Sequence, residues 1–441
     1  MGLAKQSALL RHELLERIHD ARERSDELFR LVSPGAIYER PIPERHRLVF
    51  YVGHLEAFDW NLLSERVLSE RSLRPEFDRL FAFGIDPVGG GLPTDQPSDW
   101  PQFGEVQAYV RQVRSVVERT LDRILAPGVR PHPDLNTLLN VAIEHRLMHV
   151  ETLAYMLHQL PCEKKNGQNG TPQLVTSPVA SEMIKVPAGA VSLGLSRESG
   201  KFGWDNEFEA FRVNVPTFEI DQFMVSNAQW LDFIKAGGYE APEFWSAPDW
   251  EWKSSKLISH PVFWKKSGER WRYRAMFGEI PLPLDWPVYV SHAEAAAYAR
   301  WAGKSLPTEA EWQRAAYGTE EGGERAYPWG ENPASGRLCN ADFASWDPIA
   351  VNALPAGASA FGVGGMVGNG WEWTSTPFAP FQGFEPFSFY RGYSADFFDG
   401  KHFVMKGGST RTAACMLRST FRNWFQSHYQ YVYAGFRCVR H

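Results

Sequence analysis

Apolar residues recur at helical spacing through the first third of the chain, where Leu9, Leu10, Leu14, Ile18 and Ala21 step along one face. The same period returns from Arg45 to Ser69, from Gly104 to Ile124 and from Leu135 to Leu160. Four long helices predict an antiparallel bundle over residues 1–160, an architecture whose core commonly takes metal ligands from facing helices. From Pro161 to Ser177 the chain turns polar, in the run PCEKKNGQNGTPQLVTS, and that composition predicts a flexible linker over 161–177. Over residues 178–441 the pattern changes again. From Ile184 onward Gly, Pro and Trp punctuate short apolar pieces, and helical spacing is clear only from Asn227 to Lys235 and from His292 to Ala302. The expected fold class is α+β, a four-helix bundle followed by a compact, loop-rich domain.

Polar residues inside these apolar runs are the candidates for chemistry. In EHRLMHVETLAYM, His145 and His149 stand one helical turn apart, and His54 lies in the apolar run LVFYVGHLEAF of another helix. Two histidines four apart also occur by chance on solvated helix faces. Here Leu147, Val150, Leu153, Ala154 and Leu157 predict an amphipathic helix, and a buried imidazole needs a partner. A metal ion held by His54, His145 and His149 is one such partner. Glu151 reads either as an acceptor that orients an imidazole or as a surface charge.

Composition narrows the partners. The chain has 441 residues and a net charge of -6, with pI near 6.1. It therefore lacks the electrostatic footprint of a nucleic-acid or anionic-membrane binder. The first twenty residues alternate in charge without a signal-peptide core, and no uncharged run is long enough to span a bilayer, so the expectation is a cytoplasmic protein. The four cysteines (Cys162, Cys339, Cys415, Cys438) are widely spaced and read as reduced thiols. Between the second and third bundle helices lies FAFGIDPVGGGLPTDQPSDWP, Phe81 to Pro101, with no Lys or Arg between Arg79 and Arg111. Its Asp86, Asp95, Gln96, Asp99 and Trp100 offer acceptors and an aromatic face suited to a hydroxyl-rich ligand; a plain surface loop has the same composition.

Several segments of the second half together resemble the formylglycine-generating-enzyme type of domain, a C-type-lectin-like fold. They are FGWDNE at Phe202, AGKSLPTEAEWQRAAYG at Ala302, GNGWEWTSTPF at Gly368, KGGS at Lys406 and AGFRC at Ala434. Preceded by a DinB-like bundle with His-x-x-x-His-x-Glu, the arrangement is similar to the ergothioneine-pathway sulfoxide synthases, or hercynine oxygenases, and the related selenoneine synthases. Those are mononuclear non-haem iron enzymes that use dioxygen to join sulfur or selenium to C2 of the imidazole of hercynine, trimethylated histidine. The resemblance implies that His54, His145 and His149 hold Fe(II). It further implies that Asn423 and Trp424 of FRNWF contact hercynine, with Phe425 beside them. Tyr390 and Tyr393 of FYRGYS resemble the tyrosines that line the active site, one of which delivers a proton. Zinc is the alternative ion for three histidines with an open position.

Departures from the family pattern bear on the donor. Members that take γ-glutamylcysteine place arginines in the bundle loop and an acidic residue after Asn-Trp, whereas this loop has no basic residue and Phe425 follows Trp424. Ile85 and Asp86 stand near the place of a tyrosine pair, and Met148 precedes the second histidine where Gln is common. The expected donor is a selenosugar or cysteine, whose carboxylate Arg411, Arg418 or Arg422 could meet. The single Cys415 after KGGS argues against the copper chemistry of a formylglycine generator. Two other function classes stay open at this level: a metal-bound binding module without catalysis, and a zinc-dependent thiol transferase of the DinB type.

Overall fold

The computed structural model describes residues 2–64, 67, 71–82, 92–126, 132, 134–167 and 176–441. The chain divides into two compact units, Met1–Gln168 and Asn169–His441.

The first unit is helical: α1 Gly2–Leu31, α2 Leu48–Leu63, a short α3 Pro75–Leu80, α4 Phe103–Ile124 and α5 Leu135–Gln159. α1 packs on α5, and α2 packs on both α4 and α5. α4 keeps the stripe expected of a surface helix, burying Val106, Tyr109, Val113, Val117 and Leu121. α5 departs from the amphipathic helix expected. It is buried around most of its circumference, with Glu144, His145, Arg146, His149, Glu151, Thr152 and His158 inside along with its leucines. α2 is buried in the same way. A helix can bury charges all round only where neighbours supply opposite charges, and here Arg146 meets Glu56 at 3.0 Å and Asp59 at 2.7 Å. Glu151 is 6% exposed, so its reading as a surface charge is overturned.

The predicted linker is anchored at both ends. Cys162–Lys164 forms a 3₁₀ turn, Lys165 bridges to Val32, and the Asn166 N–H donates to the Leu31 carbonyl, which ties this stretch to the first unit. At the other end the Thr176 hydroxyl accepts the Leu284 N–H at 2.9 Å. Residues 168–175 lie outside those described.

Among its described residues the second unit combines short strands with four α-helices. A sheet of β1 (Met183–Val186), β4 (Phe218–Asp221) and β12 (Val439–Arg440) ties its two chain ends together, and β2 (Gly189–Leu193) pairs with β3 (Phe211–Val215). A meander of β5 (Trp264–Ser267), β6 (Arg270–Ala275) and β7 (Gly278–Pro281) follows. The sheet that matters for the site has the order β10-β9-β8-β11, from β8 (Gly370–Pro377), β9 (His402–Gly408), β10 (Asn423–Gln426) and β11 (Ala434–Gly435). Its helices are α6 Asn227–Lys235, α7 Ala247–Ser255, α8 His292–Trp301 and α9 Glu309–Tyr317. The sequence pattern did not yield α7 and α9. The start of α9 did carry a local signal, since the Thr308 hydroxyl and Glu311 carboxylate form a reciprocal cap at T-E-A-E. Trp312 of α9 sits fully buried among Val186, Val191, Phe218, Met366 and Leu417. Among the described residues no helix is long and apolar enough to cross a membrane.

Candidate functional site

His54 projects from α2, and His145 and His149 from α5, into the interior of the first unit. The His149 Nε2 lies 3.2 Å from the Nε2 of His54 and 3.2 Å from that of His145. One ligand atom from each ring lies within 4.8 Å of the others. Burial pushes the His54 imidazole down to about 4 and those of His145 and His149 well below the ordinary value, so all three are neutral near pH 7. The His54 Nδ1 sits 2.7 Å from the Phe81 carbonyl, which makes that nitrogen the N–H donor and leaves the Nε2 lone pair facing the other two rings. Phe58 stacks on His145 with ring centres 3.4 Å apart, and Phe50 stacks on His54 at 4.8 Å. The rings are thereby held in plane as well as in place.

The donor set fits a metal ion. Nitrogens about 2.1 Å from one ion at ligand angles of about 90–110° stand about 3.0–3.4 Å apart, and the two spacings of 3.2 Å around His149 fall in that range. Two neutral imidazole nitrogens facing each other can share only one proton. A cation satisfies three converging lone pairs together.

In the second unit, β10 is the edge strand that carries Asn423 and Trp424, in register with Met405 and Val404 of β9. Lys406, buried on β9, donates to the carbonyls of Ser419 and Phe421 at 2.8 and 2.9 Å and so fixes the approach to β10. Gly407 follows at φ 99°, with the Met366 carbonyl 2.8 Å from where a Cβ would stand, which leaves glycine as the fitting residue. Trp424 stacks face to face on Phe378 at 4.1 Å, meets Tyr393 edge-on at 5.3 Å and lies 5.7 Å from Phe397. Tyr393 is buried against Trp204 at 3.9 Å, and half-buried Tyr390 joins it at 5.5 Å. The structure thus brings Tyr390, Tyr393 and Trp424 into one aromatic cluster, with Asn423 beside it accepting the Trp424 N–H on its side-chain oxygen. Phe425 stacks instead on Tyr429, as strand alternation requires of the residue after Trp424.

Two family models cover most of the chain: the DinB superfamily over residues 17–153 and the sulfatase-modifying factor enzyme 1-like domain over residues 170–441. A hercynine oxygenase of Mycolicibacterium smegmatis is 34% identical over 97% of this chain and 99% of its own length. The chain belongs to the hercynine oxygenase family. A second hercynine oxygenase, from Mycolicibacterium thermoresistibile, is 34% identical over 97% of this chain and 94% of its own. Ergothioneine biosynthesis protein 1 of Neurospora crassa is 28% identical over 92% of this chain and 55% of its own.

Within this family member, tertiary structure changes the reading of its charged residues. Asp86 lies outside the described residues. Asp95 does not present a free carboxylate. It pairs with Arg40, accepts from the Arg47 Nε at 3.0 Å and accepts the Trp100 indole N–H at 2.7 Å. Burial alone would raise that carboxyl, but the Trp100 hydrogen bond and the two guanidiniums hold it below the ordinary range. Gln96 forms a reciprocal cap with Asp99 and is exposed. The loop that lacked basic residues in sequence therefore has two arginines delivered to it from the segment before α2. Trp100 stacks on Phe81 and meets Phe50 at 6.0 Å, one ring removed from His54.

Of the arginines expected to meet a cysteine carboxylate, Arg418 and Arg422 are paired with carboxylates of this chain, and Arg411 packs on aromatic rings. Arg418 grips Glu207, whose carboxylate also accepts from Thr420. Arg422 makes a two-pronged pair with Glu309 at 2.9 and 3.1 Å. Arg411 lies over Trp346 at 3.8 Å. Burial pushes the Cys438 thiol well above its ordinary value, so it is a protonated core residue.

His292, stacked on Phe403 at 3.7 Å beside a cleft of about 940 Å³, carries a pH signature. Burial pushes its imidazole down to about 4, with Asp249 acting the other way. A folded-state value below the unfolded one means that the unfolded chain binds more protons between about pH 6.5 and 4. The contribution is therefore complete above pH 6.5 and lost as pH falls toward 4, at most about 3 kcal/mol. Urea midpoints from pH 7.5 to 4.5 should fall less steeply in His292→Gln than in the unaltered protein. Equal slopes would assign the acid loss to other groups.

Proposed function

We propose that this chain is a hercynine-dependent non-haem Fe(II) oxidoreductase that uses dioxygen to join sulfur or selenium to C2 of the hercynine imidazole, in ergothioneine or selenoneine biosynthesis. The observation that carries the proposal is the convergence of three buried, neutral imidazoles, with the His149 Nε2 3.2 Å from those of His54 and His145, in a chain whose full-length relatives are named hercynine oxygenases. His54, His145 and His149 would hold Fe(II); the bound ion would supply the redox chemistry with dioxygen. Three neutral ligands leave an Fe(II) site with net positive charge, which favours an anionic thiolate or selenolate donor.

The remaining roles belong to side chains of the second unit. The aromatic cluster of Trp424, Tyr393 and Phe397 suits a trimethylammonium group through cation–π attraction. Asn423 would hydrogen-bond the polar end of hercynine, and Tyr390 or Tyr393 would supply a proton. Arg418 and Arg422 are neutralised by Glu207 and Glu309, and Arg40 and Arg47 by Asp95. With those clamps already filled, a donor without a carboxylate to be gripped fits better than γ-glutamylcysteine, and a selenosugar fits better than cysteine.

The test is anaerobic loading with Fe(II), then mass spectrometry after exposure to hercynine, dioxygen and, in parallel, a selenosugar, cysteine or γ-glutamylcysteine. The expected result is a hercynine–selenosugar adduct. Full iron loading with no hercynine adduct from any donor would overturn the reading. In the same assay Trp424→Ala should raise the hercynine KM at least about tenfold, the loss of one desolvated cation–π contact of about 2 kcal/mol, while iron content stays constant. An unchanged KM would return Trp424 to a packing role.

A further inference from the structure

The guanidinium of Arg146 makes a connection that no feature of the ligand set requires. Arg146 directly follows His145 on α5, and its side chain donates to the carbonyl of Leu55, which directly follows His54 on α2, at 3.0 Å. The same group reaches the Asp59 carboxylate at 2.7 Å and the Glu56 carboxylate at 3.0 Å. Glu56 and Asp59 are three positions apart and share one face of α2. A further contact runs to the Ser25 hydroxyl of α1 at 3.3 Å. All of these groups are buried, and Arg146 is 2% exposed.

Apolar packing alone would hold α2 against α5. Burying an arginine with two carboxylates adds a desolvation cost that well-packed apolar residues of the same volume would avoid. What the ionic link adds is direction. Apolar contacts tolerate sliding of one helix along another, whereas hydrogen bonds to one carbonyl and two carboxylates set both register and rotation. That register decides how far His54 stands from His145 and His149. The link is held firmly on its far side, because Arg114 also donates to Glu56, at 2.8 Å, while binding Asp26 of α1 through both terminal nitrogens at 2.7 Å.

We infer that Arg146 is a positioning residue for the metal site: by joining the residue after one ligand to the residue after another, it sets the spacing at which the three imidazoles bind an ion. The inference rests on the metal-holding role proposed for the triad. It concerns the geometry of the link, which the test alters while keeping the positive charge of residue 146.

The test measures metal binding directly, independent of turnover. Arg146→Lys keeps the positive charge but cannot reach Leu55, Glu56 and Asp59 together. Fe(II) affinity, read by competition with a chromophoric chelator, should fall about ten- to a hundredfold, as when groups that orient metal ligands are lost. The visible bands of the Co(II)-loaded protein should shift, with far-ultraviolet circular dichroism unchanged. If Arg146→Lys does not fold, Asp59→Ala carries the test. It removes one arm of the link while leaving the Leu55 and Glu56 bonds, and should weaken Fe(II) at least about threefold and shift the same bands. Affinity within about twofold of the unaltered protein, with identical Co(II) bands, would overturn the inference and leave Arg146 as a helix-packing ion pair. Failure of the unaltered protein to bind Fe(II) or Co(II) would instead overturn the metal site itself.

Discussion

Replacing His149 by alanine is expected to reduce bound Fe(II) from one equivalent per chain to less than about a tenth, because two imidazoles hold Fe(II) far more weakly than three. His149 is the central ligand, standing 3.2 Å from both of its partners. Its loss therefore removes both of these close approaches at once. Iron content after anaerobic loading and desalting, read by elemental analysis, is the direct measure. Thermal unfolding supplies a second. Metal that binds only the folded state stabilises by RT ln(1 + [L]/Kd), so a chelator should lower the melting temperature of the loaded, unaltered protein and leave His149→Ala unmoved. Full iron retention in the variant would show that the triad is wrongly assigned.

The second large effect concerns stability. Arg437 is fully buried in the second unit, where its Nε and one terminal nitrogen grip Glu372 at 2.7 and 2.8 Å. Its remaining donors reach the carbonyls of Asp221, Gln222 and Gly364 at 3.0, 3.1 and 3.0 Å. Glu372 also accepts the Trp312 indole N–H at 3.0 Å, so the pair joins β8, α9 and the segment after β4. Arg437→Met would leave a buried carboxylate and three carbonyls short of donors, a loss of about 3–5 kcal/mol. Urea denaturation followed by tryptophan fluorescence should show the second unit's midpoint falling accordingly. Adding Glu372→Met should recover part of the loss, since removing both partners removes the unpaired charge while the Trp312 N–H and the three carbonyls stay without their partners. A single variant within about 1 kcal/mol of the unaltered protein would contradict this account, as would a double variant no better than the single one.

The candidate site was legible in sequence to unequal depths. The triad could be nominated because two ligands lie one turn apart on one helix and the third sits in an apolar run where an unpartnered imidazole is costly; these are local properties. Of the aromatic neighbours of Trp424, Tyr393 was nominated through the family resemblance, but Phe378 and Phe397 were not legible, since they come from segments well separated from Trp424 along the chain. The acidic loop shows how a local reading can mislead. Counting charges from Phe81 to Pro101 found carboxylates without cations, and the fold then supplied Arg40 and Arg47. Arg418 and Arg422 likewise looked available until Glu207 and Glu309 were placed against them.

The sequence by itself determined the types of ligand, the helices that carry them and the change from a bundle to a loop-rich domain, because periodicity and spacing act over a few residues. Only the tertiary structure decided that α2 and α5 are buried all round, that the predicted linker is anchored at both ends, and which charges neutralise which. Those outcomes depend on pairings between groups 40 to 220 positions apart, such as Arg47 with Asp95, Arg146 with Asp59 and Arg418 with Glu207. Burial makes such pairings obligatory, since a charge taken out of water must find its partner wherever the chain places it.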